Sequence, residues 1–435
     1  MLAPLNSTMI VVALPAIIAG FHASLFEAGW LVIAYLLTMG ALQPVGGKMG
    51  DRFGRRRLVL GGLVVFGVAS LAASVAPTLG WLLAFRTLQA MSAAVTFPNA
   101  NASLRAALPD SSRASGFGLV SAGVNLAAAI GPPLGGILVL VGGWRSVFYA
   151  NVPLVAAALL LGWRSLPRDG PPRQARPFDL PGALMLTALL GTLAGGLVLA
   201  GGRAGRPVLG ILVVGLLALG AFFVRRELRH PDPVLQPRLF LIRPFASATT
   251  AVALSNFAMY STLIAVPLLL AARGWRSSDI GFVLTSMSVG TAIVAPFGGR
   301  LGDRFGRRAP ALAGMALAAA ALGVLAAGGG VANVQLLLVC LAVAGLGFGI
   351  GSPAVQTSAI ESVEVGDAGV AAGVYSSSRY LGSIIGSSLL ASVLAPAAVF
   401  PVVALAAGLS AVSVLGLRTD ATGAVASESG AKASS

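Results

Sequence analysis

The chain has 435 residues, of which 57% are hydrophobic and only 10% are charged. So few charges could not cover the surface of a soluble protein of this length, and the composition therefore indicates a membrane protein. The net charge of +15 is also compatible with nucleic-acid binding, so the placement of the basic residues has to decide between the two classes.

Fourteen apolar segments follow one another along the chain. A helix needs about 20 apolar residues to cross ~30 Å of hydrocarbon, and only helices satisfy their own backbone hydrogen bonds in lipid without closing into a barrel. The sequence therefore predicts an all-α membrane protein with fourteen transmembrane helices. The predicted segments are 2–21, 28–47, 58–76, 79–101, 114–141, 147–166, 180–201, 207–224, 245–270, 279–299, 310–328, 332–353, 369–394 and 397–417.

The basic residues alternate with the predicted spans. Of the 29 lysines and arginines, 22 fall in one set of loops and the C-terminal tail, five fall in the opposite loops, and Arg86 and Arg379 lie inside spans. This bias is the positive-inside rule, which places both termini in the cytoplasm of a plasma (bacterial inner) membrane. The positive charge therefore requires no nucleic-acid partner, and residues 418–435 are predicted to be a disordered cytoplasmic tail. No cleavable signal-peptide pattern precedes the first span.

The heptapeptide GDRFGRR occurs twice, at Gly50–Arg56 and at Gly302–Arg308. The match extends over 46–56 and 298–308, and further along it continues at an offset of 255. The sequence therefore predicts two parallel repeats, which are typical of secondary transporters that rock around a central site. The predicted organisation is a six-helix bundle at 1–166, linkers with two extra helices at 167–244, a second six-helix bundle at 245–417, and the tail.

Each copy of the heptapeptide joins the second and third helices of its half on the cytoplasmic side. Its glycines permit a tight turn, its arginines mark the cytoplasmic face, and Asp51 is expected to cap the turn and pair with an arginine. We call these two segments the gating loops, although single arginines such as Arg55 could be topology signals alone. The candidate gating residues are Gly50, Asp51, Arg52, Gly54, Arg55, Asp303, Arg304 and Gly306.

Four motifs carry a resemblance to a known family. They are the heptapeptide, LNSTMIVVALP at Leu5–Pro15, LLAFRTLQAMSAA at Leu82–Ala94, and AAIGPPLGG at Ala128–Gly136. The chain resembles the major facilitator superfamily, in its fourteen-helix drug–proton antiporter branch, over nearly its whole length. The resemblance implies multidrug efflux, and with it antibiotic resistance, by proton antiport across the lipid bilayer. It also implies that the fifth helix seals the two halves together; an ordinary proline kink is the alternative. The residues of this antiporter motif are Gly131, Pro132, Gly135 and Gly136.

Several polar residues interrupt the apolar spans. A charge inside a span costs several kcal/mol unless it faces a cavity or a partner, so Arg86 and Arg379 are expected to do so. A single buried amide or hydroxyl is more often an interhelical hydrogen bond than a ligand contact, but together these residues indicate a polar cavity. The candidate substrate and coupling pathway comprises Asn6, Arg86, Gln89, Asn125, Asn256, Tyr260, Gln356 and Arg379.

The chain departs from the family pattern in its acidic residues. None of its 14 aspartates and glutamates lies well inside a predicted span, and Asn6 stands where the branch usually carries an aspartate. Asparagine cannot carry a proton, so the proton coupling that the resemblance implies has no obvious buried carrier. Because the charged residues of the spans are both arginines, anionic or neutral amphiphiles are expected to bind better than cations.

These patterns together predict a secondary transporter that exports small amphipathic compounds. An exporter of one specific metabolite and a non-transporting membrane sensor with the same fold remain as alternatives. An enzyme is not expected, because no nucleophile, base or metal cluster converges in the sequence, and the single cysteine, Cys340, gives no metal-site spacing. No cofactor is predicted; the expected partners are a small-molecule substrate, protons and the lipid bilayer.

Overall fold

The computed structural model describes residues 2–107, 110–169, 179–200, 206–230, 233–363, 368–392 and 398–417. Within these ranges the chain is α-helical, with three short 3-10 turns and no strand. The predicted tail at 418–435 lies outside the described residues. The helices are α1 Leu2–Phe21, α2 Leu25–Phe53, α3 Arg55–Ser74, α4 Leu79–Ala107, α5 Asp110–Gly142, α6 Arg145–Tyr149, α7 Asn151–Ser165, α8 Leu180–Ala200, α9 Arg206–Glu227, α10 Arg243–Ala271, α11 Ser277–Phe305, α12 Arg308–Ala327, α13 Val334–Glu361, α14 Ala368–Ser392 and α15 Val399–Ser413.

Nine helical segments of the described chain are long and apolar enough to cross a membrane. They comprise α1, α2, α3, the α6–α7 pair, α10, α11, α12, α13 and the C-terminal helix with its 3-10 turn. Shorter apolar stretches lie in α5 and α8. The all-helical fold class agrees with the sequence, and the total of fourteen spans stays a prediction.

The predicted sixth span is broken into two helices. Helix α6 ends at Tyr149, and α7 begins at Asn151. The break has a local cause, because Pro153 has no backbone N–H to donate to the carbonyl of Tyr149 one turn earlier. The segment Arg145–Ser165 nevertheless remains apolar enough as a whole to span a membrane.

Most residues of the two predicted gating loops lie within helices, and only a short connection remains between the helices. Most of the first heptapeptide is helical, because α2 continues to Phe53 and α3 begins at Arg55, leaving Gly54 as the connecting residue. Gly54 has a φ of 94° and Gly306, its counterpart in the second heptapeptide, has a φ of 79°. Residues with a Cβ rarely adopt these positive φ values, so the two glycines allow pairs of long helices to connect directly.

Two interfaces join helices of the N-terminal half to helices of the C-terminal half. Helix α5 packs along α11, and α2 packs along α14, while α1 also touches α10. The extra helices α8 and α9 pack against each other, and α8 also lies on α2 and α14. The largest group of buried apolar side chains runs through both halves and includes Met9, Leu14, Phe245, Leu284 and Phe348. This arrangement holds the polar side chains of α1, α4, α10 and α14 near the middle of the protein.

Candidate functional site

Arg86 is the largest fully buried side chain among the residues that the structure describes. It lies on α4, and its guanidinium carbon sits 4.4 Å from the centre of the Tyr35 ring of α2. Its Nη1 donates a hydrogen bond to Oε1 of Gln89 at 3.1 Å. The structure therefore places a permanent positive charge inside the N-terminal half, in contact with an aromatic face and an amide.

A chain of amides and hydroxyls continues from Gln89 into three neighbouring helices. Nε2 of Gln89 donates to Oγ of Ser70 on α3 at 2.7 Å, and Nδ2 of Asn6 on α1 donates to Oε1 of Gln89 at 3.4 Å. Asn151, the first residue of α7, donates through its Nδ2 to Oδ1 of Asn6 at 3.2 Å. All four of these side chains are buried. We call Asn6, Ser70, Arg86, Gln89 and Asn151, with Tyr35, the polar cluster.

The polar cluster leaves hydrogen-bonding capacity unused. Among the described residues, Nε and Nη2 of Arg86 and the hydroxyl of Tyr35 have no hydrogen-bond partner. A cation–π contact of this kind is worth about 2 kcal/mol when desolvated, whereas a charge inside a span costs several kcal/mol or more. The unused donors of Arg86 are therefore suited to an acceptor that enters from outside the cluster.

The second arginine of the spans, Arg379, lies on α14 across from the polar cluster. Its guanidinium carbon is 5.2 Å from the centre of the adjacent Tyr380 ring, and both residues are half-buried. Tyr260 of α10 interacts with Ser7 of α1 and lies within electrostatic range of both Arg86 and Arg379. Tyr260 is therefore a residue of the C-terminal half that interacts with the N-terminal half.

The structure brings together only part of the predicted pathway. Gln89 bonds to both Asn6 and Arg86, and Tyr260 lies within electrostatic range of Arg86 and of Arg379. Asn256 is half-buried and donates to the carbonyl of Val252 in its own helix at 3.0 Å, whereas Gln356 is exposed. The side chain of Asn125 lies outside the described part of the chain.

The glycines of the predicted antiporter motif lie where α5 meets two other helices. A Cβ built on Gly135 would lie 2.9 Å from Cα of Met9 on α1, and one on Gly136 would lie 3.0 Å from Cα of Ser278 on α11. From the opposite side, a Cβ on Gly281 of α11 would lie 2.5 Å from the carbonyl oxygen of Pro132. These distances are shorter than ordinary contacts, so the two backbones can approach this closely only because both carry glycine.

Gly131 completes this packing. A Cβ there would meet the side chain of Thr8 and the carbonyl oxygen of Leu5, the latter at 3.1 Å. The helix face bearing Gly131 and Gly135 thus contacts its own half, while Pro132 and Gly136 contact the other half. We call the contact of 131–136 with Ser277–Gly281 the α5–α11 seam.

A second seam joins α2 to α14. Oγ of Ser376 donates to Oε1 of Gln43 at 2.8 Å, and Oγ of Ser377 donates to the carbonyl oxygen of Gly40 at 3.5 Å. A Cβ on Gly40 would lie 3.0 Å from Cβ of Tyr380. This α2–α14 seam thus reaches from the level of Tyr380 towards the C-terminal end of α2, where the first gating loop lies.

The first gating loop is tied to its own half by two residues from elsewhere. Asn99 of α4 donates to the carbonyl oxygen of Gly46 at 2.7 Å, and a Cβ on Gly50 would lie 2.7 Å from Cγ of Asn99. Gly54 cannot cap α3 with a side chain, and Asp169 supplies the cap instead. Its two carboxylate oxygens accept from the backbone N–H groups of Arg56 and Arg57 at 2.8 and 3.1 Å.

This cap differs from the sequence expectation, which gave the capping role to Asp51. The side chain of Asp51 lies outside the described part of the chain, so its pairing stays a prediction. Arg52 is exposed, with its guanidinium 5.4 Å from the Phe53 ring, and Arg55 donates to the carbonyl oxygen of Ala102 at 3.3 Å. The arginines of this loop thus contact ring faces and backbone carbonyls.

The second gating loop contains a three-residue charge cluster. Arg307 donates through Nη2 and Nε to the two carboxylate oxygens of Glu361 at 2.8 and 3.0 Å, and through Nη1 to Asp303 at 2.5 Å. Hydrogen bonds to Glu361 and then to Asp303 raise the pKa of the Arg307 guanidinium above its ordinary value, although its burial opposes this. Arg304 is exposed beside the Phe305 ring. This loop is therefore held within the C-terminal half by a two-pronged ion pair.

Several contacting residues were missed by the sequence reasoning. Asn151 lies in the stretch GWRSVFYANVP, where a buried amide after an aromatic run was an available signal. Tyr35 and Ser70 carried no signal, because single hydroxyls are common in apolar helices. Asp169 and Glu361 could not be assigned, because their partners lie 113 and 54 residues away. Among the described residues, no group of three or more His, Cys, Asp or Glu side chains could hold a metal ion.

The chain resembles known proteins along its whole length. A sequence profile of the Major Facilitator Superfamily matches residues 1–247 and again residues 246–434. The fold also resembles a crystal structure of peptide transporter POT in complex with alafosfalin, with a TM-score of 0.68 and 16% identity over 95% of this chain and 92% of that one.

Curated relatives include both named exporters and an uncharacterised transporter. The chain is 31% identical to the MFS-type transporter YvkA of Bacillus subtilis, over 97% of this chain and 94% of the relative. It is 31% identical to the tetracenomycin C resistance and export protein of Streptomyces glaucescens, over 91% and 74%. It is 33% identical to the multidrug resistance protein Stp of Mycobacterium tuberculosis, over 90% and 73%. The chain therefore belongs to the major facilitator superfamily.

Proposed function

We propose that this protein is a secondary active transporter of the plasma (bacterial inner) membrane that exports small amphipathic compounds by alternating access. The observation that carries the proposal is the polar cluster around Arg86, which is buried in the N-terminal half and lies within electrostatic range of Tyr260 of the C-terminal half. The names of two relatives, one for tetracenomycin C export and one for multidrug resistance, support export rather than uptake.

The two seams support alternating access. The α5–α11 seam involves the C-terminal part of α5 and the first turns of α11, whereas the α2–α14 seam extends towards the C-terminal end of α2. In the orientation that the basic loops favour, the α5–α11 seam lies towards the outer side of the membrane and the α2–α14 seam lies towards the inner side. Opening one seam while the other stays closed would expose the polar cluster to one side at a time.

The charge of the polar cluster supports a substrate class. The electrostatic partners of Arg86 among the described residues are Tyr35 and Tyr260, and no carboxylate is among them. A cation entering this region would meet two guanidiniums without a counter-charge, whereas a carboxylate, sulfonate or carbonyl oxygen could accept from Nε and Nη2 of Arg86. The proposed substrates are therefore anionic or neutral amphiphiles with hydrogen-bond acceptors.

Proton antiport belongs to the proposal because the resemblance implies it. The polar cluster contains no carboxylate and no histidine, the side chains that ordinarily change charge near or below neutral pH. We therefore expect the proton dependence of export to be weaker than in relatives that carry an aspartate at the position of Asn6.

Flux in proteoliposomes tests the proposal. Purified protein is reconstituted, a pH gradient and a voltage are imposed separately, and the movement of matched anionic, neutral and cationic probes is followed. We expect gradient-driven movement of the anionic or neutral probe that is absent from vesicles containing Arg86→Ala protein. Probe binding without flux under any gradient would show a sensor instead, and movement of one probe alone from a broad panel would indicate a single-metabolite exporter.

A further inference from the structure

A groove of about 430 Å³ lies at the C-terminal end of α9, away from the polar cluster. Its walls are formed by Phe222, Arg225, Arg226, Arg229 and His230. The spacing of residues 222, 225, 226 and 229 is i, i+3, i+4 and i+7, which brings these side chains onto one face of the helix. The groove thus brings three guanidiniums and an imidazole together beside one aromatic ring. It lies on α9, one of the two extra helices between the predicted six-helix bundles.

One arginine of the groove is already paired. Arg226 donates to the two carboxylate oxygens of Asp179 at 2.6 and 2.5 Å, and Gly182 donates its backbone N–H to the same carboxylate at 2.9 Å. Burial raises the pKa of the Asp179 carboxyl, but the bonds from Arg226 and Gly182 lower it more, so that the net shift is downwards. This pair ties the start of α8 to the end of α9 and holds the groove wall in place.

The other two arginines are available to a ligand. Arg225 and Arg229 are exposed, and among the described residues no carboxylate pairs with either of them. Two guanidiniums one helical turn apart can donate to the oxygens of one phosphate group. The polar part of the groove therefore suits a phosphate anion.

An apolar stripe leads from the groove along the same face of α9. Ile211, Val214 and Phe222 precede Arg225 and Arg229 at helical spacing, and they are 72%, 66% and 61% exposed. Fourteen residues separate Ile211 from Arg225, which is about 21 Å of helix at 1.5 Å per residue. A phospholipid whose phosphate sits in the groove can place an acyl chain along this stripe, whereas a soluble phosphate makes no contact with it.

We propose that this groove binds the headgroup phosphate of an anionic phospholipid, with an acyl chain along Ile211, Val214 and Phe222. Basic pockets beside transmembrane helices on the cytoplasmic side commonly hold such headgroups, and the positive-inside distribution places this end of α9 on that side. Arg225 and Arg229 bind the headgroup, and the Asp179–Arg226 pair positions them. The two extra helices thereby anchor the transporter to anionic lipid at a site separate from the transport pathway.

The competing explanation is that these arginines are topology signals whose side chains reach towards the interface. A matched pair of variants separates the two explanations. Arg225→Gln/Arg229→Gln removes two charges from the groove, and Arg164→Gln/Arg300→Gln removes two exposed charges of α7 and α11 that do not line it. Both variants change the net charge by the same amount.

The experiment is native mass spectrometry of the full-length protein in detergent, titrated with phosphatidylglycerol and, separately, with phosphatidylcholine of the same acyl chains. We expect the unmodified protein to retain phosphatidylglycerol preferentially, and the Arg225→Gln/Arg229→Gln variant to bind it roughly tenfold more weakly. The Arg164→Gln/Arg300→Gln variant should bind like the unmodified protein. Thermal unfolding of both variants is measured alongside, and an unchanged midpoint shows that the loss is local.

Three outcomes would overturn the proposal. Equal weakening in both double variants would show general attraction of charge, and equal retention of the two lipids would show that the groove does not select a headgroup. Displacement of bound phosphatidylglycerol by millimolar inorganic phosphate would assign the groove to a soluble phosphate compound. None of these readouts depends on transport, so they are independent of the proposed export function.

Discussion

The side-chain amide of Asn151 donates a hydrogen bond to Oδ1 of Asn6 across 3.2 Å, and this bond joins the start of α7 to the middle of the polar cluster. Through its own Nδ2, Asn6 then reaches Gln89 and hence Arg86. A carboxylate at the position of Asn6 would therefore lie close to the Arg86 guanidinium, and it could still accept the hydrogen bond from Asn151.

Changing Asn6 to aspartate should alter both selectivity and pH dependence. An aspartate would accept from Asn151 as Asn6 does, and it would supply the titratable counter-charge that the interior lacks. We expect Asn6→Asp to shift preference towards cationic probes and to make export more dependent on the pH gradient. Competition between matched anionic, neutral and cationic probes at fixed pH measures the shift.

Asn6→Ser is the matched control, because it removes the amide without adding a charge. It should weaken export of all probes alike. Strong, selective export of a quaternary ammonium probe by the unmodified protein would contradict the substrate class proposed for the cluster.

Replacing Arg86 with alanine or with lysine should separate the contribution of its positive charge to export from that of its planar donor geometry. Arg86→Ala removes the guanidinium that contacts Tyr35 and Gln89, and we expect export to fall by at least about tenfold. Arg86→Lys keeps the charge but not the planar fork of donors, so it should retain only part of the activity. Initial rates of export, normalised to reconstituted protein, measure the difference.

Arg145→Lys provides the control for Arg86→Lys. Arg145 also lies over an aromatic ring, that of Trp144 at 4.4 Å, but it is exposed outside the cluster. Its conservative replacement should leave export unchanged. Full activity of Arg86→Ala would show that the buried guanidinium has only a structural role.

The sequence predicted the helical fold class and those residues of the polar cluster that stand out as charged or amide side chains in apolar spans. Arg86, Gln89 and Asn6 could be identified because charged or amide side chains are rare in apolar spans. Their assembly into one network could not, because it depends on which faces of α1, α4 and α7 meet. Gln356 illustrates the limit, since its sequence environment resembles that of Gln89 but the structure leaves it exposed.

In the gating loops too, features set by neighbouring residues were predictable, and contacts between residues far apart in the sequence were not. The positive φ of Gly54 and Gly306 was predictable from glycine in a tight connection, whereas the pairing of Arg307 with Asp303 and Glu361 was not predicted. The cap from Asp169 was not predictable, because it crosses 113 residues and only the packed linker brings it to α3.

The two gating loops should respond differently to loss of their aspartates. In the second loop, Asp303→Asn leaves Arg307 bonded to both oxygens of Glu361, and an exposed ion pair contributes only about 0.2–1 kcal/mol. The first half is also the one that carries the fourth- and fifth-helix motifs, which marks it as the specialised half. We therefore expect Asp51→Asn to abolish export while expression and membrane insertion persist, and Asp303→Asn to reduce export only slightly.

Glu361→Gln completes this comparison. It removes the carboxylate that accepts two hydrogen bonds from Arg307 and should impair export more than Asp303→Asn does. Export assays on equal amounts of reconstituted protein provide the measurement. Near-normal export from both Asp51→Asn and Asp303→Asn would show that the loops do not gate transport.

The last prediction concerns the α5–α11 seam, where the backbones of the two halves come closest. A methyl group on Gly281 would lie 2.5 Å from the carbonyl oxygen of Pro132, and backbone on both sides leaves no flexible side chain to give way. Gly281→Ala should therefore force the helices apart and weaken closure of this seam. Gly299, on the same helix, has no neighbouring atom within 4 Å of its built Cβ, so Gly299→Ala is the matched control.

Alanine stabilises a helix relative to glycine by about 1 kcal/mol, so neither variant should lose helix stability through propensity. We expect Gly281→Ala to export more slowly and to let protons leak faster through the reconstituted membrane, because the seam no longer closes fully on one side. Gly299→Ala should match the unmodified protein in both respects. A pH-sensitive dye trapped inside the vesicles measures the leak, and tight vesicles with normal export from Gly281→Ala would show that the seam tolerates separation and does not seal the transport pathway.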